Sequence, residues 1–440
     1  MLRGILRLSL GTAAARALAA VGQLLLALWL TPAEFGYWAA ATSVIAILTG
    51  LANFGEVNGY LSGQGGTFSG TRRAILNVNT VLACGGTVIA GIYLISGRPE
   101  VAILAVISAL TIPLVGDAEL MYSSGVKLKL YRRVVLAQVL AAVSKVAVGL
   151  ILALTLQSAL AFAVSTVVFY AIMDLAIFRR LPRQEGAGQG TSEAPTRHIR
   201  LKWGVNSLFI TLPLQASFVV AQFGASAEVL GVYYFAYQIS LGLSGLVSVP
   251  LARVSLSTLA DTRPEERVAL SLRLCQFFVL VVTAVSAAFS LFMPLFAGVL
   301  GGQWVAASGA VVILLASLPV RMMTPILDGL QQAQGRWWQG TAFNIVDTVG
   351  TACAALASFT GDITTLVCAV AGWKVIFGLG RAAWLMRTGR NASLLWVLFF
   401  TTASSASIAA SQFLQSGLVV LGAVLLASLL SLAVVARWDG

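Results

Sequence analysis

With 440 residues, 58% of them hydrophobic and 10% charged, and a mean hydropathy of +0.90, the chain reads as a polytopic helical membrane protein rather than a soluble globule. A formal charge of +12 suggests nucleic acid at first sight, but the cations gather in alternate loops between apolar runs, and that placement excludes such a partner. A single histidine, His198, and four cysteines without CxxC spacing (Cys84, Cys275, Cys353, Cys368) imply no metal centre, disulfide frame or cofactor.

Apolar runs fall at about 8–30, 36–62, 74–95, 101–122, 134–155, 158–178, 203–223, 229–257, 271–296, 304–330, 339–358, 363–386, 393–413 and 417–436. As helices, runs of this length cross a hydrocarbon core of roughly 30 Å. The breaks near 155–158 and 414–417 are slight, so the expected architecture is all-α with about fourteen spans and twelve as the lower limit. Met1–Leu26 has the outline of a signal peptide, but Arg16 interrupts it and Leu24–Leu30 extends it past a good cleavage site. It is therefore read as a retained first helix, stopped at Thr31-Pro32, where proline opens the next one.

Basic residues recur on one side of this pattern: Arg72 and Arg73; Lys127, Lys129, Arg132 and Arg133; Arg179 to Lys202; Arg263, Arg267 and Arg273; Arg336; Arg387 and Arg390; Arg437. The loops between them hold Glu34, Arg98 with Glu100, Glu228 and Asp362. The positive-inside rule then puts both termini in the cytoplasm. The stretch Arg179–Lys202, rich in Gly, Pro and charge, reads as a cytoplasmic linker. The expected organisation is a six-helix lobe over 1–178, the linker over 179–202, a second six-helix lobe over 203–386 and an added helix pair over 387–440.

Two echoes suggest that the lobes are parallel repeats. Ala33-Glu34-Phe35-Gly36-Tyr37-Trp38 opens the second run as Ala227-Glu228-Val229-Leu230-Gly231-Val232-Tyr233-Tyr234 opens the eighth. Ser123-Ser124-Gly125-Val126-Lys127 closes the fourth as Ala333-Gln334-Gly335-Arg336 closes the tenth.

Ionisable residues inside spans are the default functional candidates, once side chains able to snorkel are set apart. Arg16 lies about two turns into the first span and Arg253 near the cytoplasmic end of the eighth; Arg321 is about three turns deep in the tenth. Lys145 and Lys374 are near mid-span, where a cation needs an acidic partner or a wet cavity. Asp117 and Glu119 are two residues apart and point to different helix faces, so one can pair with Lys145 while the other faces a cavity. Asp347 can pair with Lys374 or Arg321; Asp174 and Asp328 sit near cytoplasmic ends and are assigned to the interface. Glu56, in Asn53-Phe54-Gly55-Glu56-Val57-Asn58, is placed inside the second span among small and amide side chains that suit a water-lining helix. Glu56, Asp117 and Glu119 are the ion-coupling candidates, and Asn58 joins the cations as a substrate-contact candidate. Internal prolines (Pro113, Pro213, Pro250, Pro294, Pro319, Pro325) serve packing or bending.

The order Leu30-Thr31-Pro32-Ala33-Glu34-Phe35-Gly36, then Leu51-Ala52-Asn53-Phe54-Gly55, resembles polysaccharide flippases of the Wzx type. Leu230-Gly231-Val232-Tyr233-Tyr234-Phe235-Ala236-Tyr237, Val249–Ser257, Gly301-Gly302-Gln303-Trp304 and Ala333-Gln334-Gly335-Arg336 extend the resemblance over about residues 1–386. It implies the multidrug/oligosaccharidyl-lipid/polysaccharide exporter superfamily, with two six-helix lobes around a cavity and no ATPase. It also implies a bacterial inner-membrane location and, as cargo, an undecaprenyl-pyrophosphate-linked oligosaccharide moved with ion or proton coupling beside membrane lipid and polysaccharide polymerase machinery. The positions carried over are Arg16, Glu56 and Arg253; the seventh span departs in being polar but neutral at Asn206, Thr211 and Gln215.

Arginine suits this cargo because its fork matches phosphate oxygens. The expected function is thus an alternating-access flippase whose substrate contacts are Arg16, Arg253, Asn58, Lys145, Arg321 and Lys374. A membrane polymerase or ligase would present catalytic residues from a large external loop, and the chain has none, so an enzyme is disfavoured. A drug antiporter of the same fold would want a more acidic interior.

Overall fold

The computed structural model describes residues 2–52, 56–61, 67–178, 197–386, 391–414 and 417–438, all helical or in short connections, with no strand among them. In chain order the helices are α1 (Leu2–Leu26), α2 (Pro32–Gly50), α3 (Glu56–Leu61), α4 (Phe68–Ile95), α5 (Pro99–Leu110), α6 (Ile112–Lys127), α7 (Tyr131–Leu156), α8 (Leu160–Phe178) and α9 (Arg197–Gly224). There follow α10 (Ala227–Asp261), α11 (Arg267–Leu300), α12 (Val305–Ala316), α13 (Leu318–Arg321), α14 (Met323–Ala333), α15 (Trp337–Ala355), α16 (Ile363–Met386), α17 (Asn391–Ala410) and α18 (Gly417–Trp438). Seven of the described helices are long and apolar enough to cross a membrane, and eight if the pair bent by 44° at Ser317 counts as one span. Shorter apolar helices lie at Ala17–Leu26, Leu160–Ala176, Leu394–Ala410 and Gly417–Leu429. The chain is a multi-pass membrane protein; the number fourteen rests on hydropathy and not on this length test.

The chain divides into two compact units, Met1–Val219 and Val220–Gly440. The boundary falls inside α9, not in the hydrophilic stretch 179–202, of which 179–196 lie outside the described residues.

In the first unit α7 packs between α1 and α8, and α4 and α5 pair beside α2. The approach of α1 to α7 depends on Gly22: a Cβ there would stand 2.6 Å from Val146 Cγ2. Thr12 adds a polar tie, 3.2 Å from Gln138 Oε1. On α7, Leu136, Leu140, Val143, Ile151 and Leu154 form one exposed stripe, as expected where a helix meets lipid. In the second unit α10 and α12 pair, α11 lies against α12, and α17 and α18 pack on α11.

Two spans are broken by the same device. At Thr111-Ile112-Pro113, α5 gives way to α6; at Ser317-Leu318-Pro319, α12 gives way to α13. Proline lacks an N–H and crowds the preceding turn. The two break residues share a backbone geometry (φ −80°, ψ −15° and φ −80°, ψ −11°), and each hydroxyl donates to the carbonyl three residues back, at 2.5 and 2.7 Å.

The helices after the breaks also end alike. Leu130 N–H reaches Gly125 O and Arg336 N–H reaches Gln331 O, both at 2.8 Å, across left-handed residues Lys129 (φ 58°) and Gly335 (φ 70°). The repeat register therefore matches Lys129, not Gly125, with Gly335. At the other echo, Thr31 caps α2 and Ser226 caps α10, which aligns Gly36 with Gly231 and leaves the two glutamates one residue out of step.

Candidate functional site

One polar cluster of the second unit is built from α10, α13, α15 and α16. Lys374, in mid-α16, places Nζ 2.9 and 2.8 Å from the two oxygens of Asp347 on α15. The same carboxylate accepts from Trp373 Nε1 at 3.1 Å and from Thr351 Oγ1 at 3.2 Å. Gly350 makes this possible, since a Cβ there would fall 1.9 Å from Trp373 Cζ2, inside the indole. Among the expected partners of Asp347, the lysine takes the carboxylate.

Arg321 closes α13 beside this pair. Its Nη1 lies 3.3 Å from Ser240 Oγ, and its guanidinium carbon is 5.4 Å from the centre of the Tyr237 ring, both on α10. It lies within electrostatic reach of Lys374. No carboxylate among the described residues forms a salt bridge with it. Two cations and one anion leave the cluster with one positive charge over, in the middle of apolar helices.

Below it, α14 is tied to α16 by Arg381, whose side chain is 1% exposed. Arg381 Nη2 donates to Asp328 at 2.5 Å and to Gln331 Oε1, and its guanidinium lies over Phe343 at 5.1 Å. Asp328 is thus an ion-pair partner and not simply an interface residue. Arg381 was not singled out from sequence, although it follows Lys374 by seven residues and so shares its helix face.

In the first unit, Asp117 does not pair with Lys145. Arg72, at the start of α4, forks onto it: Nε to Oδ1 at 2.7 Å and Nη2 to Oδ2 at 2.5 Å, with the aspartate 5% exposed. The guanidinium, placed among the loop cations by its sequence position, reaches inward along α4 to the buried face of α6. Asp174, on α8, is half-buried, with its Oδ1 covered and no hydrogen-bond partner for that atom among the described residues. Lys145 instead lies over the Phe169 ring at 5.8 Å, on the side of α7 opposite its exposed stripe. Glu119 is on the open side of α6, near Tyr170.

Glu56 is not inside the second span: α2 ends at Gly50, and Glu56 begins the separate helix α3. Helix α3 packs on α4 and α6, where Lys127 Nζ donates to Tyr60 O at 2.6 Å and stands 4.0 Å from its ring centre. The side chains of Arg16, Asn58 and Arg253 lie outside the described residues.

The protein family described as polysaccharide biosynthesis protein matches residues 1–262. No curated protein matches the sequence. Among solved structures, the chain is similar to the lipid II flippase MurJ in an inward closed conformation, with a TM-score of 0.70 and 12% identity over 98% of each chain. It is similar to an inward-facing multidrug resistance MATE family transporter of the MOP superfamily, with a TM-score of 0.62 and 16% identity over 92% of this chain and 99% of that one. A MOP superfamily transporter from Pyrococcus furiosus, described by the reverse polarity of its binding pocket, aligns with a TM-score of 0.50 and 14% identity over 91% and 96%. At these identities the likeness is one of fold, and the fold is that of MOP superfamily transporters.

Proposed function

We propose, from the premise that this chain belongs to the polysaccharide biosynthesis protein family, that it is a flippase for a lipid-linked saccharide. In the finer form of this reading, the cargo is an undecaprenyl-pyrophosphate-linked oligosaccharide, carried across the bacterial inner membrane by alternating access with ion-gradient coupling. The likeness to a protein named as a lipid II flippase supports the lipid-linked part of the reading. The observation that carries the anionic part is Arg321, a mid-span guanidinium held by a hydroxyl and a phenol ring while Lys374 takes the Asp347 carboxylate. A cation kept this way in a low-dielectric setting attracts an anion, and its fork suits phosphate oxygens.

The roles follow from depth and charge. Arg321, Arg16 and Arg253 engage pyrophosphate or acidic sugar; Lys374 and Lys145 hold the surrounding field positive; Asn58 contacts sugar hydroxyls. Ion coupling is assigned to Glu56, Asp117 and Glu119, of which Asp117 is held by Arg72. A drug antiporter on this fold would take cations, and the surplus positive charge beside Arg321 weighs against that cargo.

Replacing chromosomal Arg321 by Gln, and Arg16 with Arg253 together by Ala, with membrane expression retained, is expected to deplete surface polysaccharide. Normal polymer in both strains would overturn the reading.

A further inference from the structure

We propose that Asp347 is a built-in competitor of the cargo's anion: it occupies Lys374 until pyrophosphate takes its place, whereupon Lys374 and Arg321 become two prongs of one anion subsite. The identity of the anion rests on the flippase reading above; the competition for Lys374 does not.

The Asp347 carboxylate sits among donors that suit any compact oxyanion. Lys374 Nζ approaches its two oxygens at 2.9 and 2.8 Å, and Trp373 Nε1 donates to Oδ1 at 3.1 Å. An ammonium and an indole N–H serve phosphate oxygens as well as carboxylate ones. Thr351, buried one turn further along α15, donates to Oδ1 at 3.2 Å and so holds the carboxylate from its own helix. Arg321 stands beside this arrangement for a reason of packing. Val320 Cγ1 lies 2.3 Å from where a Cβ of Gly378 would be, and Gly378 follows Lys374 by one turn of α16. The residue after Val320 is thereby held next to Lys374, with its guanidinium against Ser240 and Tyr237 of α10.

Access separates this pair from the clasp of Arg381 on Asp328. The Arg381 side chain is 1% exposed, whereas Lys374 and Asp347 keep 11% and 15% and Arg321 is also partly exposed. A sealed guanidinium stays with its partner; a reachable ammonium can change partners. Charge favours the exchange. A pyrophosphate that joins a lipid to a sugar carries a negative charge on each phosphoryl group. Arg321 balances one of these, and the other needs Lys374, which Asp347 balances until the exchange. An unbalanced charge is costly in low-dielectric surroundings, so the carboxylate and the dianion compete for one ammonium. Releasing Asp347 also undoes its side-chain ties to Lys374 and Trp373, which links anion binding to a looser hold of α15 on α16.

Binding of inorganic pyrophosphate to the purified full-length protein, in nanodiscs of zwitterionic phospholipid, tests this by the sign of an effect. Removing a merely structural carboxylate weakens a site or leaves it as it was; removing a competitor strengthens it. Asp347→Asn is expected to bind pyrophosphate about tenfold more tightly than wild type, the worth of one charge-assisted hydrogen bond. Asp347→Asn/Lys374→Met is expected to lose that gain, because the ammonium is what the anion takes. Thr351→Val strands no charge and keeps the test open should Asp347→Asn fail to fold. It removes one donor that holds Asp347 and is expected to tighten binding about threefold, the worth of a neutral hydrogen bond. Unchanged or weaker binding in Asp347→Asn, or in Thr351→Val where only that variant folds, would overturn the proposal. So would a gain that survives Lys374→Met, since it would mark a field effect without exchange of partners. If Arg321→Gln weakens pyrophosphate binding while Asp347→Asn and Thr351→Val leave it unchanged, the exchange falls and the flippase reading stands. If all variants behave as expected but wild type moves no lipid-linked saccharide in proteoliposomes, the anion subsite stands and the flippase reading falls.

Discussion

Lys374 reaches across from α16 to both carboxylate oxygens of Asp347, twenty-seven residues earlier on α15, at 2.9 and 2.8 Å. Both side chains are largely covered, at 11% and 15% exposure. The pair is balanced in charge, and the neighbouring Arg321 forms no salt bridge with a carboxylate among the described residues but lies against Ser240 and Tyr237.

Removing one partner of such a pair strands the other. Asp347→Asn is expected to cost about 3–5 kcal/mol of stability. The double variant Asp347→Asn/Lys374→Met should recover most of that loss, since an uncharged pair has no desolvation penalty to offset. Thermal unfolding in detergent, followed by size-exclusion chromatography, measures this; a double variant no more stable than either single one would contradict it.

Gly350→Ala tests the positioning of Trp373. The new methyl would overlap the indole, so the ring must move and its bond to Asp347 Oδ1 must lengthen or break. A loss of about 1–3 kcal/mol is expected for overpacking of this kind, with a change in tryptophan fluorescence. A variant with wild-type stability and spectrum would show that the close approach is not needed.

Arg381→Met removes the clasp between α14 and α16. Asp328 is partly exposed and regains some hydration, whereas Gln331 is buried, so the expected cost is about 2–4 kcal/mol. Proteolysis between residues 333 and 337, where α14 ends and α15 begins, should accelerate. An unchanged cleavage rate would argue that the clasp is incidental.

Much of the helical layout was legible from apolar runs; the two helix breaks were not, because Pro213 and Pro294 lie inside unbroken helices while Pro113 and Pro319 follow breaks at Thr111 and Ser317. The repeat register was not. Matching Gly125 with Gly335 followed the usual preference of left-handed helix ends for glycine, but in the first half Lys129 occupies that backbone position. Charge pairing was legible in part for Asp347, where Lys374 and Arg321 were both candidates by depth and the lysine takes the carboxylate. It was not legible for Asp117, because depth along the sequence assigns Arg72 to a loop while a guanidinium can reach inward along its own helix. Glu56 was misplaced for a similar reason: hydropathy alone carries the second span past Gly50, where the helix stops.

Asp362 gives a pH dependence outside the spans. It caps α16, accepting from Thr365 N–H and hydroxyl at 2.8 and 2.7 Å and from Thr364 N–H at 3.2 Å, and these bonds hold its carboxyl below the usual aspartate range. A depressed folded-state value means that the cap stabilises fully above the unfolded aspartate pKa of about 3.9 and loses its contribution as the pH falls through the folded value. Asp362→Ala should therefore be slightly less stable than wild type at pH 7, and the two should converge in acid. A stability gap that persisted at pH 2 would contradict the assignment.

The cation at mid-span is tested most directly by flipping in proteoliposomes of defined lipid. Wild type is expected to move a fluorescent polyprenyl-pyrophosphate-linked oligosaccharide between leaflets, and Arg321→Gln, at equal incorporation, to move it about tenfold more slowly, the worth of one charge-assisted hydrogen bond. A glycolipid with the same sugar but no phosphate should be moved poorly by both. Equal rates for wild type and Arg321→Gln on the pyrophosphate cargo, or no movement by wild type, would contradict the proposed function.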